Sequence, residues 1–124
     1  MRLNQVTLGA VDFAESIAFY SRLGLRLIVS SRGQYARFEL PGGDATLSVH
    51  LTPNVPDDGP VLYFEVENVD ATVAQLQTEG IEFATRPEDQ PWLWREARLA
   101  DPAGNQLCIY TAGRNLRFPP WRLK

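Results

Sequence analysis

Few side chains in this sequence can do chemistry. There is one histidine, His50, and one cysteine, Cys108. Histidine can move a proton near neutral pH, bind a metal, or donate a hydrogen bond to a ligand. It can equally be a polar strand residue bonded to a neighbour, and both readings of His50 stand. A cysteine reacts or ligates as the thiolate. Cys108 sits in the strand-like run Gln106-Leu107-Cys108-Ile109-Tyr110 and reads as a small buried apolar residue rather than a nucleophile. No Ser-His-Asp or Cys-His signature accompanies it. Glu96 is the second candidate base beside His50, so the catalytic set stays open.

The elements that position these residues follow from punctuation and periodicity. Residues 3–11 alternate as a strand, with Leu8 and Ala10 on the core side and Gln5, Thr7 and Gly9 on the other. Asp12 can cap a helix whose stripe is Phe13, Ile17 and Tyr20, and Gly24 can end it. Strands over 25–30, 34–40 and 45–52 are separated by Ser31-Arg32-Gly33 and Pro41-Gly42-Gly43. After a Pro-rich linker over 53–60, the pattern restarts. Val61–Val66 reads as a strand, and Asn68 or Asp70 caps a helix carrying Val73 and Leu76 that stops at Gly80. Ile81–Thr85, 92–100 and 105–111 read as strands. The turn before the last is Asp101-Pro102-Ala103-Gly104-Asn105, in which Pro102 sets φ and Gly104 or Asn105 can take positive φ.

The restart is an internal repeat. An offset of 56 carries Leu8 to Phe64, Ala10 to Val66, Ile17 to Val73, Tyr20 to Leu76 and Gly24 to Gly80. The fold expected is therefore α+β: two βαβββ modules, 1–52 and 61–111, related by a pseudo-twofold around a shared concave space. With the tail 112–124 they make one domain, 1–124. Gln5 and Val61 fall on the opening strands, and His50 and Cys108 are expected at equivalent places on the closing ones. Alternation sends Gln5, Thr7, Ser48, His50, Val61, Tyr63, Glu65, Trp94, Glu96, Arg98, Cys108 and Tyr110 inward. Arg95, Ala97 and Leu99 face outward, Arg95 as a structural ion pair. An aromatic lining with a few directed polar groups is how small-molecule pockets are built. Trp94, Tyr63 and Tyr110 can stack on a planar ligand, and Glu65, Glu96 or Arg98 can fix its charge.

Composition excludes several classes. A net charge of −3 argues against a nucleic-acid partner. No apolar run is long enough to span a membrane, and the first residues lack a signal-peptide core. A lone cysteine suits a reducing compartment, so a cytoplasmic location is expected. The one basic cluster, Arg114, Arg117, Arg122 and Lys124 interleaved with Phe118 and Trp121, reads as a tail packed on the domain or on a partner.

In order along the chain, Val11-Asp12, Ser16, Phe19-Tyr20 and Leu23-Gly24-Leu25 are followed by Phe64-Glu65-Val66, Val69-Asp70, Pro91-Trp92, Arg95 and the Asp101–Asn105 turn. Together they resemble the vicinal oxygen chelate superfamily of glyoxalases, extradiol dioxygenases, fosfomycin-resistance enzymes and bleomycin-resistance proteins. The resemblance implies a glyoxalase-like cavity, a homodimer, and four metal-ligand positions, which fall here on Gln5, His50, Val61 and Cys108. Val61 cannot ligate, both expected carboxylates are missing, and Cys108 stands where glutamate is usual. No cofactor is therefore expected. The resemblance then implies a metal-independent binder of an amphipathic or aromatic molecule, of the resistance or sequestration type. The alternatives are a glyoxalase-like lyase or dioxygenase-like oxidoreductase using Gln5, His50 and Cys108 on a divalent metal, and a structural or regulatory domain with a filled cavity.

Overall fold

A computed structural model describes residues 1–124. The chain forms two compact units, Met1–Pro60 with Asp101–Asn105, and Val61–Ala100 with Gln106–Lys124. The first holds β1 (Gln5–Ala10), α1 (Phe13–Arg22), β2 (Arg26–Ser31), β3 (Tyr35–Glu39) and β4 (Thr46–Leu51) in a sheet of order β1-β4-β3-β2. The second holds β5 (Val61–Glu65), α2 (Val69–Thr78), β6 (Glu88–Asp89), β7 (Arg95–Ala100) and β8 (Gln106–Thr111) in the order β5-β8-β7-β6. Each opening strand runs parallel to the closing strand of its module, and the other pairs are antiparallel. The α+β reading and the two βαβββ modules hold.

Helix starts follow the capping residues. Asp12 Oδ1 accepts from Glu15 N at 3.1 Å, and Asn68 Oδ1 accepts from Ala71 N at 3.0 Å. Gly24 and Gly80 follow the helices with φ of 105° and 86°, a region closed to most side chains. The stripe of α1 is rotated from the one expected. Ser16, Phe19 and Tyr20 are buried, while Phe13 and Ile17 are only half-buried. Tyr20 contacts Phe19 edge-on at 5.1 Å and Phe38 of β3 at 5.8 Å, over the Leu8, Ala10, Leu47 and Val49 face. In the second unit α2 buries Val69, Val73 and Leu76 against β7 and β8, whose Ala97, Leu99, Leu107 and Ile109 are buried.

The strand expected at Ile81–Thr85 does not form. Ala84 N and Thr85 N both donate to the single carbonyl of Arg98, and Arg98 N donates to Thr85 Oγ1, so no ladder develops. Pro87 has no N–H to extend one, and pairing begins only at Glu88 and Asp89. Trp92 and Leu93 likewise sit in a turn, closed by Leu93 N to Gln90 O, rather than in β7.

The turn Asp101–Asn105 is bonded through one carboxylate. Asp101 is 5% exposed. Its Oδ1 accepts from Ala103 N and Asn105 N, each at 2.9 Å, and its Oδ2 from Asn105 Nδ2 at 2.8 Å and Tyr20 Oη at 2.6 Å. Asn105 Nδ2 also donates to Gly9 O at 2.9 Å. Asp101→Ala strands several buried donors, so unfolding free energy should fall by on the order of 3–5 kcal/mol, and Tyr20→Phe by about 1.5–3 kcal/mol. Burial and then the Asp101 charge raise the Tyr20 phenol above its ordinary 10.0. The folded state therefore keeps a proton the unfolded chain gives up, and stability declines as pH climbs past about 10. Urea midpoints at pH 8 and pH 11 check this. The decline should be steeper in the parent protein than in Tyr20→Phe.

Candidate functional site

One face of the second sheet gathers most of the chemistry-bearing residues. Trp94, just before β7, precedes Glu96 and Arg98 of that strand at the two-residue spacing of a strand face, and β8 brings Cys108 and Tyr110 opposite Arg98 and Glu96. On β5, Tyr63 pairs with Cys108, Glu65 with Tyr110, and Val61 with Gln106. The alternation expected for this face is the one observed. Three rings are in mutual contact: Trp94 lies 4.9 Å from Tyr110 at 31°, and Tyr63 meets Trp94 and Tyr110 edge-on at 5.7 and 5.6 Å. Val61 and Trp94 pack on the buried Cys108, Tyr110 and Ala112. Trp94 Nε1 donates to Asn115 O at 3.3 Å. Trp94 also lines a cavity of about 520 Å³ with Gln90, Leu93, Thr111 and Asn115.

A polar group is set beside the rings. Arg98 Nε donates to Glu96 Oε2 at 2.8 Å, and Arg98 Nη2 to Tyr63 Oη at 3.3 Å, with the guanidinium 5.7 Å from the Tyr63 ring centre. The Cys108 thiol points at the same Glu96 Oε2, 3.5 Å away. Glu96 is 4% exposed and its Oε1 is enclosed with no hydrogen-bond partner. Burial, then the neighbouring Glu96, push the Cys108 thiol up to about 12. Burial, then Glu65 and Cys108, raise Tyr110 as well. On the opposite side of β7, Arg95 holds Asp70 at 2.7 and 2.9 Å and Asp89 at 3.0 Å, which is the outward ion pair expected.

The first unit carries its own polar face. Gln5 Oε1 accepts from Thr46 Oγ1 at 2.8 Å, and the Thr7 and Ser48 hydroxyls lie 2.7 Å apart. His50 is on this face and exposed, across from Tyr35. Two residues here were not among those expected to matter, Tyr35 and Arg37. Arg37 Nε donates to Tyr35 Oη at 3.0 Å, and hydrogen bonds from Ser48 and then Arg37 lower the Tyr35 phenol. The alternation Tyr35, Arg37, Glu39 was there to be read, as Trp94, Glu96, Arg98 was. Register also corrects one equivalence. Ser48 pairs with Thr7 and Cys108 with Tyr63, while His50 pairs with Gly9 and Tyr110 with Glu65. Thr7 and Tyr63 are repeat partners, so the counterpart of Cys108 is Ser48, and that of His50 is Tyr110. The second module spends extra residues before its closing strand, so the offset grows along the chain.

Comparison with known proteins places this geometry. The family model described as Glyoxalase/Bleomycin resistance protein/Dioxygenase superfamily matches residues 2–109. The chain belongs to this superfamily. It is 28% identical over 127 residues to the uncharacterized protein YraH of Bacillus subtilis (strain 168), covering 89% of this chain and 98% of that one. Among solved structures it is similar to a lactoylglutathione lyase from Agrobacterium tumefaciens (TM-score 0.73, 19% identity, 98% of this chain and 97% of that one). It is also similar to a bleomycin-binding protein complexed with bleomycin (TM-score 0.71, 22% identity, 90% and 98%). At these identities the structural likeness concerns the fold, and one fold hosts different chemistries.

The residues expected at the superfamily's metal positions make a poor donor set. Gln5 is engaged by Thr46, Val61 is apolar, and His50 is exposed. Cys108 is fully buried with its thiol turned toward Glu96. No three His, Cys, Asp or Glu side chains converge in an arrangement able to hold a metal ion. Glu96, a candidate base, is occupied on one oxygen by Arg98 and Cys108. The raised thiol has a readout. Iodoacetamide should leave Cys108 of the folded protein unmodified at pH 8 and alkylate it fully in urea. Because the folded state holds that proton from its ordinary 9.0 up to about 12, this group adds stability below pH 9 that fades across that window. Cys108→Ser should show a shallower loss between pH 9 and 12 in denaturant melts.

Proposed function

We propose that the protein is a metal-independent small-molecule binder that holds an amphipathic or aromatic compound on the Tyr63–Trp94–Tyr110 face. The observation carrying this reading is the three-ring cluster, with Tyr63 45% exposed, set directly beside the Glu96–Arg98 pair. Rings in T-shaped and tilted contact give a stiff apolar surface, and a charge pair at its edge orients what lands there. The ligand-binding residues of this reading are Tyr63, Glu65, Trp94, Glu96, Arg98, Cys108 and Tyr110. Gln5, Thr7, Ser48 and His50 form the polar face of the first unit. A bleomycin-binding protein among the structural relatives supports sequestration as the type of activity. The poor donor set at the metal positions supports independence from metal.

The working form in this reading is a homodimer. The tail supports it: Leu116, Phe118 and Trp121 are 45%, 48% and 57% exposed, and so the tail is not packed away on its own chain.

Tryptophan fluorescence titration against a panel of planar aromatic compounds tests the function. At least one should saturate with one-site behaviour, and Trp94→Ala should weaken it about tenfold or more, which corresponds to about 1.4 kcal/mol. Binding should survive EDTA, and elemental analysis of protein purified without chelator should find no stoichiometric metal. Stoichiometric metal, with binding lost in EDTA, would overturn the reading. Sedimentation velocity at micromolar concentration should give a dimer, and deletion of residues 116–124 should shift it toward monomer.

A further inference from the structure

The Glu96 carboxylate carries a feature that packing does not explain. One oxygen, Oε2, is used twice, by Arg98 Nε at 2.8 Å and by the Cys108 thiol at 3.5 Å. The other, Oε1, is sealed from solvent with no partner at all. A buried acceptor left unmade is costly, and native proteins rarely leave one without a reason. An apolar residue at position 96 would pack between Trp94 and Arg98 without that cost. Arg98 is also incompletely used, since Nε and Nη2 are engaged and Nη1 carries no bond within the protein.

We infer that Glu96 Oε1 is the specificity acceptor of the aromatic face, and that it selects planar ligands carrying an N–H donor, with an adjacent carbonyl or ring nitrogen for Arg98. The inference rests on the aromatic-face reading and narrows it to one ligand class: aromatic carboxamides and amino-substituted heteroaromatics. A neutral donor is enough. Glu96 is already ion-paired with Arg98, and an amide N–H supplies the missing hydrogen without disturbing that pair. Tyr110 opposite Glu96 and Trp94 two residues before it set aromatic surface beside the acceptor. Reaching Oε1 requires one side chain to turn aside. Tyr63 is placed for this, half-exposed with its hydroxyl held by Arg98 alone. A polar pair that recognises a donor rejects the isostere lacking it far more strongly than an apolar pocket rejects a missing methylene, because the rejected ligand leaves Oε1 unpaired.

The test compares two near-isosteric probes, 2-naphthamide and 2-acetonaphthone, by calorimetric titration of the full chain. The parent protein should bind the amide at least tenfold more tightly than the ketone. In Glu96→Gln, Arg98 holds the new carbonyl oxygen, so the NH2 takes the place of Oε1 and presents a donor to a donor. The amide preference should vanish or reverse, with thermal melting confirming that the variant is folded. Equal binding of both probes by the parent protein overturns the inference while leaving the aromatic face standing, and this comparison needs no variant. An unchanged amide preference in folded Glu96→Gln overturns it as well. Failure of both probes, and of the wider aromatic panel, to bind removes the underlying reading and this inference with it.

Discussion

The carboxylate of Asp101 concentrates more of this molecule than any other group. Four donors converge on two oxygens, from Tyr20 in the first helix, two backbone amides of the turn, and the Asn105 side chain, which also reaches Gly9 of the first strand. Residues far apart in sequence are thereby tied to a five-residue turn. That turn leads directly into Gln106–Thr111, and so it fixes where Cys108 and Tyr110 begin their alternation. A negative charge with so little exposure is tolerable only because its lone pairs are filled. Remove the charge and the turn loses what shapes it.

The aromatic face uses the opposite arrangement. Where Asp101 is fully satisfied, Glu96 is satisfied on one side only. Both carboxylates are buried in the same chain, and the difference separates a structural group from one with capacity left for a ligand. Cys108 is held as a neutral group beside that carboxylate despite its reactive element. Burial and the nearby carboxylate keep its proton in place, and its counterpart in the other sheet is a serine hydroxyl beside Thr7 and Tyr35.

Much of this was legible in the residues, for identifiable reasons. Alternation along Trp94-Arg95-Glu96-Ala97-Arg98-Leu99 assigns faces once Ala97 and Leu99 are read as the helix-facing core, and the outward Arg95 ion pair follows. Asp12, Asn68, Gly24 and Gly80 mark helix ends because few other residues satisfy the same backbone demands. What was missed depends on long-range hydrogen bonding. Ile81–Thr85 has strand-like composition, but its amides converge on one carbonyl, which no local pattern reveals. The rotation of the first helix that buries Ser16 and Phe19 is set by how it packs over β2 and β4, which its own sequence period does not specify. The His50–Cys108 equivalence failed because it allowed too little drift between the opening and closing strands, whose connections are of unequal length.

Arg37 and Arg98 hold the same place in the two sheets, each beside the closing strand, across from Ser48 in one and Cys108 in the other. Each donates through Nε to the residue two positions earlier, a phenol in the first case and a carboxylate in the second. One guanidinium therefore keeps its full positive charge on a hydroxyl-rich face, and the other is neutralised on an aromatic one. A duplicated module bound by exact symmetry would have to carry the same electrostatic character twice. With both copies in a single polypeptide, a one-residue change in the partner of an arginine is enough to give the halves different solvation and different electrostatic character. Each half can then drift toward its own task while the backbone common to both stays fixed.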